Sequence, residues 1–276
     1  MNKDLNKAIL RCKSVISLPA IYQKVTVKID HPLTTNNELA EIVKLDAGIS
    51  TKLLAIVNSS FYGFPSQIST ISHAISLVGL RDFKNLVLGS SVVKQFEDVR
   101  ATGFPINEFW DYSLHCAIAA KTLGKLWAGR QEQEALFIAG LLHDVGKLVI
   151  AQACQDRLDE IQQIWPNQQP EQERELIGFD HAEAGAELIK SWGLPELLSC
   201  ATRQHHQLDL AETPEATVLC VYMANAIACG EENRITSAIE ICNQYVEEPL
   251  TPEALEEMQS EIMEEKRSLI GVYLSG

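Results

Sequence analysis

The chain has 276 residues, 46% hydrophobic and 22% charged, which excludes a disordered polymer and allows a sizeable core without disulfides or a structural metal. Asp and Glu number 37 against 23 Lys and Arg, a net charge of -14, so the overall field repels nucleic acid and anionic membrane, and direct binding to either is not expected. Lys3, Lys7, Arg11 and Lys13 interrupt the N-terminal residues, and no uninterrupted apolar run reaches the roughly 18 residues of a membrane span. A cytoplasmic location is expected, with the seven cysteines, odd in number and without a CxxC pair, reduced and mostly buried.

Apolar residues recur three or four apart along most of the chain, and strand-like alternation is scarce, so the fold class is all-α. A first helix is expected over Leu5 to Ser17, ending before Leu18-Pro19-Ala20, and a second from near Thr35 to Asp46, with Pro32 in the turn between them. Gly48-Ile49-Ser50 opens a third through Leu53, Leu54 and Val57, for which Ser50 is a cap candidate, and it closes into the turn-rich Asn58 to Pro65. Helices at Ile71 to Val78 and Leu80 to Lys94, separated by Gly79, complete an N-terminal helical lobe, residues 1–98. The stretch Val99 to Pro105 loses periodicity and begins a second lobe, residues 99–276, the two forming one unit.

In that second lobe, a long helix runs from Asn107 or Glu108 to Trp127 and another from Gln133 to His143. The polar run Trp165 to Pro170 breaks the pattern. Asp180 and Glu183 have capping-box spacing for a helix ending at Trp192-Gly193. Pro195 begins a helix towards His205-His206, Glu215 to Ala228 makes another, and Pro252 to Leu269 forms an acidic amphipathic tail.

The chemistry concentrates in five of the seven histidines, His115, His143, His181, His205 and His206, with Asp144 directly after His143. An unpaired imidazole in an apolar helix is costly, so these groups need hydrogen bonds, solvent or a metal. Asp111 and His115 are four apart and share a helix face, as are His143 and Lys147, although Gly146 weakens continued helix there. Imidazole and carboxylate suit divalent Fe, Mn, Co, Ni or Zn, and Lys147 suits a phosphate. His181 at a helix N-terminus favours the neutral, ligating imidazole, and either of His205 and His206 can turn inward at a fraying helix end. Two readings stand on residues alone: one metal-centred site, or histidines satisfied separately in the packing.

The ordered set His115, His143-Asp144-Val145-Gly146-Lys147, His181 and His205-His206 resembles the pattern of the HD metal-dependent phosphohydrolase superfamily. The first lobe resembles the HD-related output domain family in Leu18-Pro19, Asp46-Ala47-Gly48-Ile49, Leu53-Leu54, Asn58-Ser59-Ser60-Phe61-Tyr62-Gly63, Ile71-Ser72-His73-Ala74-Ile75 and Leu77-Val78-Gly79-Leu80. That resemblance covers most of the chain. It implies an HD-domain-like helical bundle with an additional N-terminal helical lobe, acting as a signalling or regulatory output module through contact with a signalling protein. Many members of the family look degenerate at the metal positions. Here His115, His143, Asp144, His181, His205 and His206 are retained as a metal set, extended by Asp111, where dinuclear relatives carry a longer acid, and by Asn225, where catalytic relatives commonly place a closing Asp; Asp209 is a substitute for that acid.

An Asn supplies only a weak neutral ligand, which weakens hydrolysis and leaves metal binding open. The alternative is a metal-dependent phosphohydrolase of a nucleotide, cyclic dinucleotide or other phosphate ester, with Asp144 at the metal and Lys147 steadying phosphate. Phe61, Tyr62 and Phe64 make either a protein-docking ridge or a plug packed on the first lobe. Trp110 walls a pocket or packs helices, and Lys121, Lys147 and Arg203 either line an anion pocket or lie scattered on the surface. The glycines lack the GxGxxG spacing and strand-turn-helix setting, and no nicotinamide, flavin or P-loop nucleotide site is expected.

Overall fold

A computed structural model describes residues 3–12, 18–129, 132–165, 170–208 and 213–274. The described residues form helices and no strand, as the apolar spacing predicts: α1 (Lys3–Arg11), α2 (Ala20–Ile29), α3 (Asn36–Lys44), α4 (Ala47–Val57), α5 (Ile71–Val78), α6 (Leu80–Gln95), α7 (Ile106–Trp127), α8 (Gln133–Leu142), α9 (Val145–Ala153), α10 (Leu158–Ile164), α11 (Pro170–Ile177), α12 (His181–Ser191), α13 (Glu196–Gln204), α14 (Ala216–Cys229), α15 (Glu232–Cys242) and α16 (Pro252–Leu274). The expected end of the first helix at Ser17, and Asp209, lie outside the described residues.

Several helix starts follow from their caps. Thr35 and Glu38 form a reciprocal box at α3, and Asp180 and Glu183 do the same at α12, the Glu183 amide donating to Asp180 Oδ1 at 2.7 Å. At α4 the cap is Asp46, which accepts from the Ile49 amide at 3.1 Å, whereas Ser50 donates its hydroxyl to the Val43 carbonyl. Five helices escape the apolar pattern: α2, α9, α10, α11 and α15. In α2 the β-branched Val25, Thr26 and Val27 have modest helix propensity, and burial of Tyr22 and Val25 supplies what propensity does not.

α7 is the central rod: α8, α14 and α16 all pack along it, while α12 joins α9 to α13. α6 packs on α8, and α16 reaches α4, where Lys52 Nζ donates to the Tyr273 carbonyl at 3.2 Å. α1 lies on α9 and α12, so the first helix in sequence packs against the second half of the chain, and one apolar cluster runs from Leu5 to Tyr273. The stretch Ala135–Ala153 is apolar enough to span a membrane by composition but is 89% buried inside the fold, the mark of a core segment.

Two helix crossings are too close for a side chain. At Gly140 a Cβ would lie 2.6 Å from the Ala117 Cα on α7. At Gly146 it would run into the His181 carbonyl oxygen and lie 2.6 Å from the Gly185 amide nitrogen. The obstacles at Gly146 are backbone atoms, which cannot rotate away as a side chain can. Gly146→Ala is expected to destabilise the fold by about 2–4 kcal/mol. Gly271→Ala, on a helix where nothing lies within 4 Å of the added carbon, is expected to be neutral or slightly stabilising. Urea unfolding of the two variants beside the parent chain measures both.

Candidate metal centre

His143 and Asp144 form the break between α8 and α9: His143 ends the first helix and Asp144, with φ -100 and ψ 7, directly precedes the second without capping it through its side chain. His181 is the first residue of α12, laid beside Asp144 by the Gly146 crossing. α13 ends at Gln204, so His205 and His206 leave the helix together and both turn inward, their rings 4.0 Å apart. Their adjacency in sequence is no barrier once helical geometry stops.

Asp144, His181, His205 and His206 each present a ligand atom, and these four atoms all lie within 4.8 Å of one another. His181 Nε2 is 2.8 Å from His206 Nε2, 3.2 Å from His205 Nε2 and 3.2 Å from Asp144 Oδ1. His143 Nε2 borders the group, 3.5 Å from Asp144 Oδ2. The outward nitrogens are anchored: His143 Nδ1 donates to the Gly140 carbonyl at 2.6 Å, His205 Nδ1 to the Thr202 carbonyl at 2.6 Å, and His181 Nδ1 to the Glu173 carboxylate at 2.8 Å. With those protons on Nδ1, the Nε2 atoms of the three rings face inward; those of His143 and His205 present lone pairs, while that of His181, whose pKa is raised to about 9, carries a second proton that an entering ion would displace. His143 Nε2 is buried with no hydrogen-bond partner, a costly arrangement that a cation would relieve. The donor set of imidazoles and one carboxylate suits divalent first-row metals once the His181 Nε2 proton is displaced, so the residues fit the ion that the sequence resemblance implies.

Charge reinforces the arrangement. Burial pushes His143 down to about 3, against the pull of Asp144, and burial likewise lowers His205 and holds His206 well below its ordinary value, leaving neutral ligands. At His181 burial also acts downward, but the Glu173 carboxylate prevails and raises it to about 9. Asp144 is desolvated, yet Lys147, His143 and the hydrogen bonds around it keep its carboxyl well below the usual range. Lys147 Nζ donates to Asp144 Oδ2 at 2.6 Å.

Asp144 and Lys147 also form the inner end of a cleft of ≈ 410 Å³ walled by Phe104, Phe109, Tyr112 and Trp165. Asn225 on α14 stands beside the cluster, but its amide is already engaged: Oδ1 accepts from the Tyr112 hydroxyl at 2.7 Å and Nδ2 donates to the His205 carbonyl at 3.0 Å. Asn225 therefore braces His205, and its amide oxygen is already shared with the Tyr112 hydroxyl.

His115 and Asp111 stand apart from the site. On α7 a step of one residue turns the side chain by about 100°, so Tyr112 faces the cluster while Asp111 and His115 face α16. There Lys266 Nζ donates to Asp111 Oδ2 at 2.7 Å, and burial together with Lys266 lowers His115 to about 4 against the pull of Asp111. Phe61 is buried, but against the second lobe and not the first: it packs on Phe137 of α8 with the Lys121 ammonium of α7 3.7 Å from its ring centre, and Tyr62 stacks on Phe64, both half-buried. Lys121 is thus committed to Phe61, and Arg203 pairs with Glu187 at 2.8 Å, so the two do not join Lys147 in an anion pocket. Trp110 is buried, packed edge-on against Phe109.

Sequence reasoning missed Tyr112, Glu173 and Trp165. Tyr112 sits one residue from the expected Asp111, and only the rotation of α7 selects between them. Glu173 lies in the acidic run Glu171 to Glu175, whose composition describes a solvated surface, yet its side chain is 1% exposed.

Comparison with known proteins agrees with this architecture. The profile of the HDOD domain matches residues 15–208, and the chain belongs to that family. An uncharacterized protein of Treponema pallidum (strain Nichols) is 28% identical over 203 residues, 72% of this chain and 39% of its own length, so the chain spans about two fifths of that curated relative. Among solved structures, a "Putative phosphohydrolase" from Shewanella amazonensis SB2B superposes with a TM-score of 0.74 at 24% identity, covering 97% of this chain and 98% of its own. A "Putative signal transduction protein" from Marinobacter aquaeolei VT8 superposes with a TM-score of 0.68 at 19% identity, covering 93% of this chain and 59% of its own. At these identities the likeness is one of fold.

The protonation states carry a sign. His143, His205 and His206 stay neutral in the folded protein below pH 6.5, the ordinary imidazole value, while the unfolded chain protonates them. More protons bound to the unfolded state means that stability falls as pH drops. His181 acts in the opposite sense, its contribution complete below 6.5 and lost as pH rises through about 9. Metal-free protein is expected to lose stability from pH 6.5 to 4.5, and His143→Gln to flatten that slope by about 1 kcal/mol per pH unit. Urea unfolding in EDTA across this range measures it.

Proposed function

We propose that this chain is a metal-holding regulatory module whose ion is bound by Asp144, His181, His205 and His206 with His143 at its edge, and whose output is contact with a signalling protein. The observation that carries this reading is the convergence of His181 Nε2 and His205 Nε2 on Asp144 Oδ1, at 3.2 and 3.3 Å, with His206 Nε2 2.8 Å from His181 Nε2, the residues coming from the α8–α9 junction, the start of α12 and the end of α13. A bound divalent ion would supply positive charge and Lewis acidity at that point. The side chains do the rest: Glu173 and the Thr202 carbonyl hold the rings in the ligating tautomer, Asn225 braces His205, and Lys147 offsets the Asp144 charge. Binding that spans the α8–α9 junction, α12 and the end of α13 would stabilise their native arrangement by mass action. Five of the six large apolar side chains exposed among the described residues, Val27, Leu33, Leu45, Leu77 and Leu80, lie in the N-terminal lobe, which supports contact through that lobe.

The cleft favours a second reading, in which the same site is a metal-dependent phosphohydrolase. Lys147 is 5.8 Å from the Tyr112 ring centre and lines the cleft with Asp144, so an anionic phosphate that reached the inner end would meet a cation there. Asn225, neutral and engaged at both ends, weighs towards the regulatory reading. Metal analysis of protein purified without chelator is expected to give about one ion per chain, lost in His205→Ala and Asp144→Ala, with Tm lowered by chelator. Phosphate-ester and cyclic-dinucleotide assays with added Mn or Fe are expected to show no turnover. Turnover abolished by Asp144→Ala would replace the regulatory reading with the hydrolase.

A further inference from the structure

Trp165 follows the last residue of α10 and forms part of the cleft wall, edge-on to Phe104 with ring centres 5.1 Å apart. Its indole N–H points away from the cleft, donating to Glu173 Oε1 on α11 at 2.6 Å. The same carboxylate accepts the His181 backbone amide at 2.6 Å and the His181 Nδ1 proton at 2.8 Å. One sealed carboxylate thus takes three N–H donors, two from a cluster histidine and one from the wall of the cleft. A tryptophan serving only as an apolar wall could leave its N–H to water, but here it is spent on the group that orients His181.

From this chain of contacts we infer that Trp165 is a positioning residue for the metal centre, transmitting occupancy of the cleft through Glu173 to the His181 ring. The inference rests on the metal-holding reading of the site. A carboxylate bonded to a ligating histidine fixes the ring plane and its basicity, and loss of such a partner commonly costs 10–100-fold in metal affinity. Trp165 holds the Glu173 oxygen on its cleft side. A flat ligand stacked on the indole shifts that N–H, and with it the carboxylate that anchors His181. Linkage makes the effect reciprocal: an ion that orders His181 alters the surroundings of the indole.

The test uses the full chain, Co2+ as a visible-absorption probe and Zn2+ as a diamagnetic one. Trp165→Phe keeps a ring in the wall and removes only the indole and its N–H. It is expected to shift the Co2+ absorption spectrum and weaken Co2+ binding by about 3–10-fold, and Glu173→Gln to weaken it by about 10–100-fold. Zn2+ is expected to shift Trp165 emission, obtained as parent minus Trp165→Phe. Trp127→Phe, which removes another indole N–H, one that donates to the Glu248 carbonyl at 3.0 Å, is expected to leave the Co2+ spectrum and affinity unchanged. Co2+ affinity within twofold of the parent and a superimposable spectrum in Trp165→Phe would overturn the inference while leaving the metal centre standing. Parent protein that binds neither ion would overturn both.

Discussion

The backbone contact between α9 and α12 governs this site. Gly146 meets the His181 carbonyl and the Gly185 amide at a separation no side chain fits, and that crossing sets Asp144, just before α9, against His181, at the start of α12. Each residue sits at a helix end, where the side chain is freed from the regular spiral and backbone groups remain to be satisfied. His205 and His206 follow the same rule at the end of α13. The cluster is therefore an assembly of helix termini, fixed by how closely the helices approach.

Such an assembly concentrates groups that repel one another without a cation. Several desolvated imidazoles share a space with one carboxylate, and the fold spends carbonyls, the Glu173 carboxylate and Lys147 in holding them in a single protonation pattern. Building this in advance costs stability on acidification, and the same cost preorganises the ligands for an ion. The cleft runs directly to it, so whatever binds there meets aromatic walls, a lysine and the edge of the cluster together. The histidine cluster, the cleft and the Trp165 to His181 chain of hydrogen bonds form one connected region.

Much of the fold was legible in the sequence. The start of α3 near Thr35, the capping box at Asp180, the apolar spacing of α4 to α8, and the breaks at Gly79 and Val99 to Pro105 all correspond to observed structure. Less legible were α2, which is helical because Tyr22 and Val25 are buried, and α9, where Gly146 looks like a breaker and is in fact the point of closest packing. A helix former and a helix contact compete at such positions, and local propensity reports only the first.

What the sequence by itself determined was an all-helical, acidic chain carrying His143, Asp144, Lys147, His181, His205 and His206 in an order that marks its family. Tertiary structure decided which polar groups share a space. It turned Asp111 and His115 towards Lys266 and brought Tyr112 in instead, engaged both ends of the Asn225 amide, and buried Glu173 from an acidic run. The reason is rotational: a helix turns about 100° per residue, so membership of a site hangs on a single step along the chain, and only packing against neighbouring helices fixes that angle.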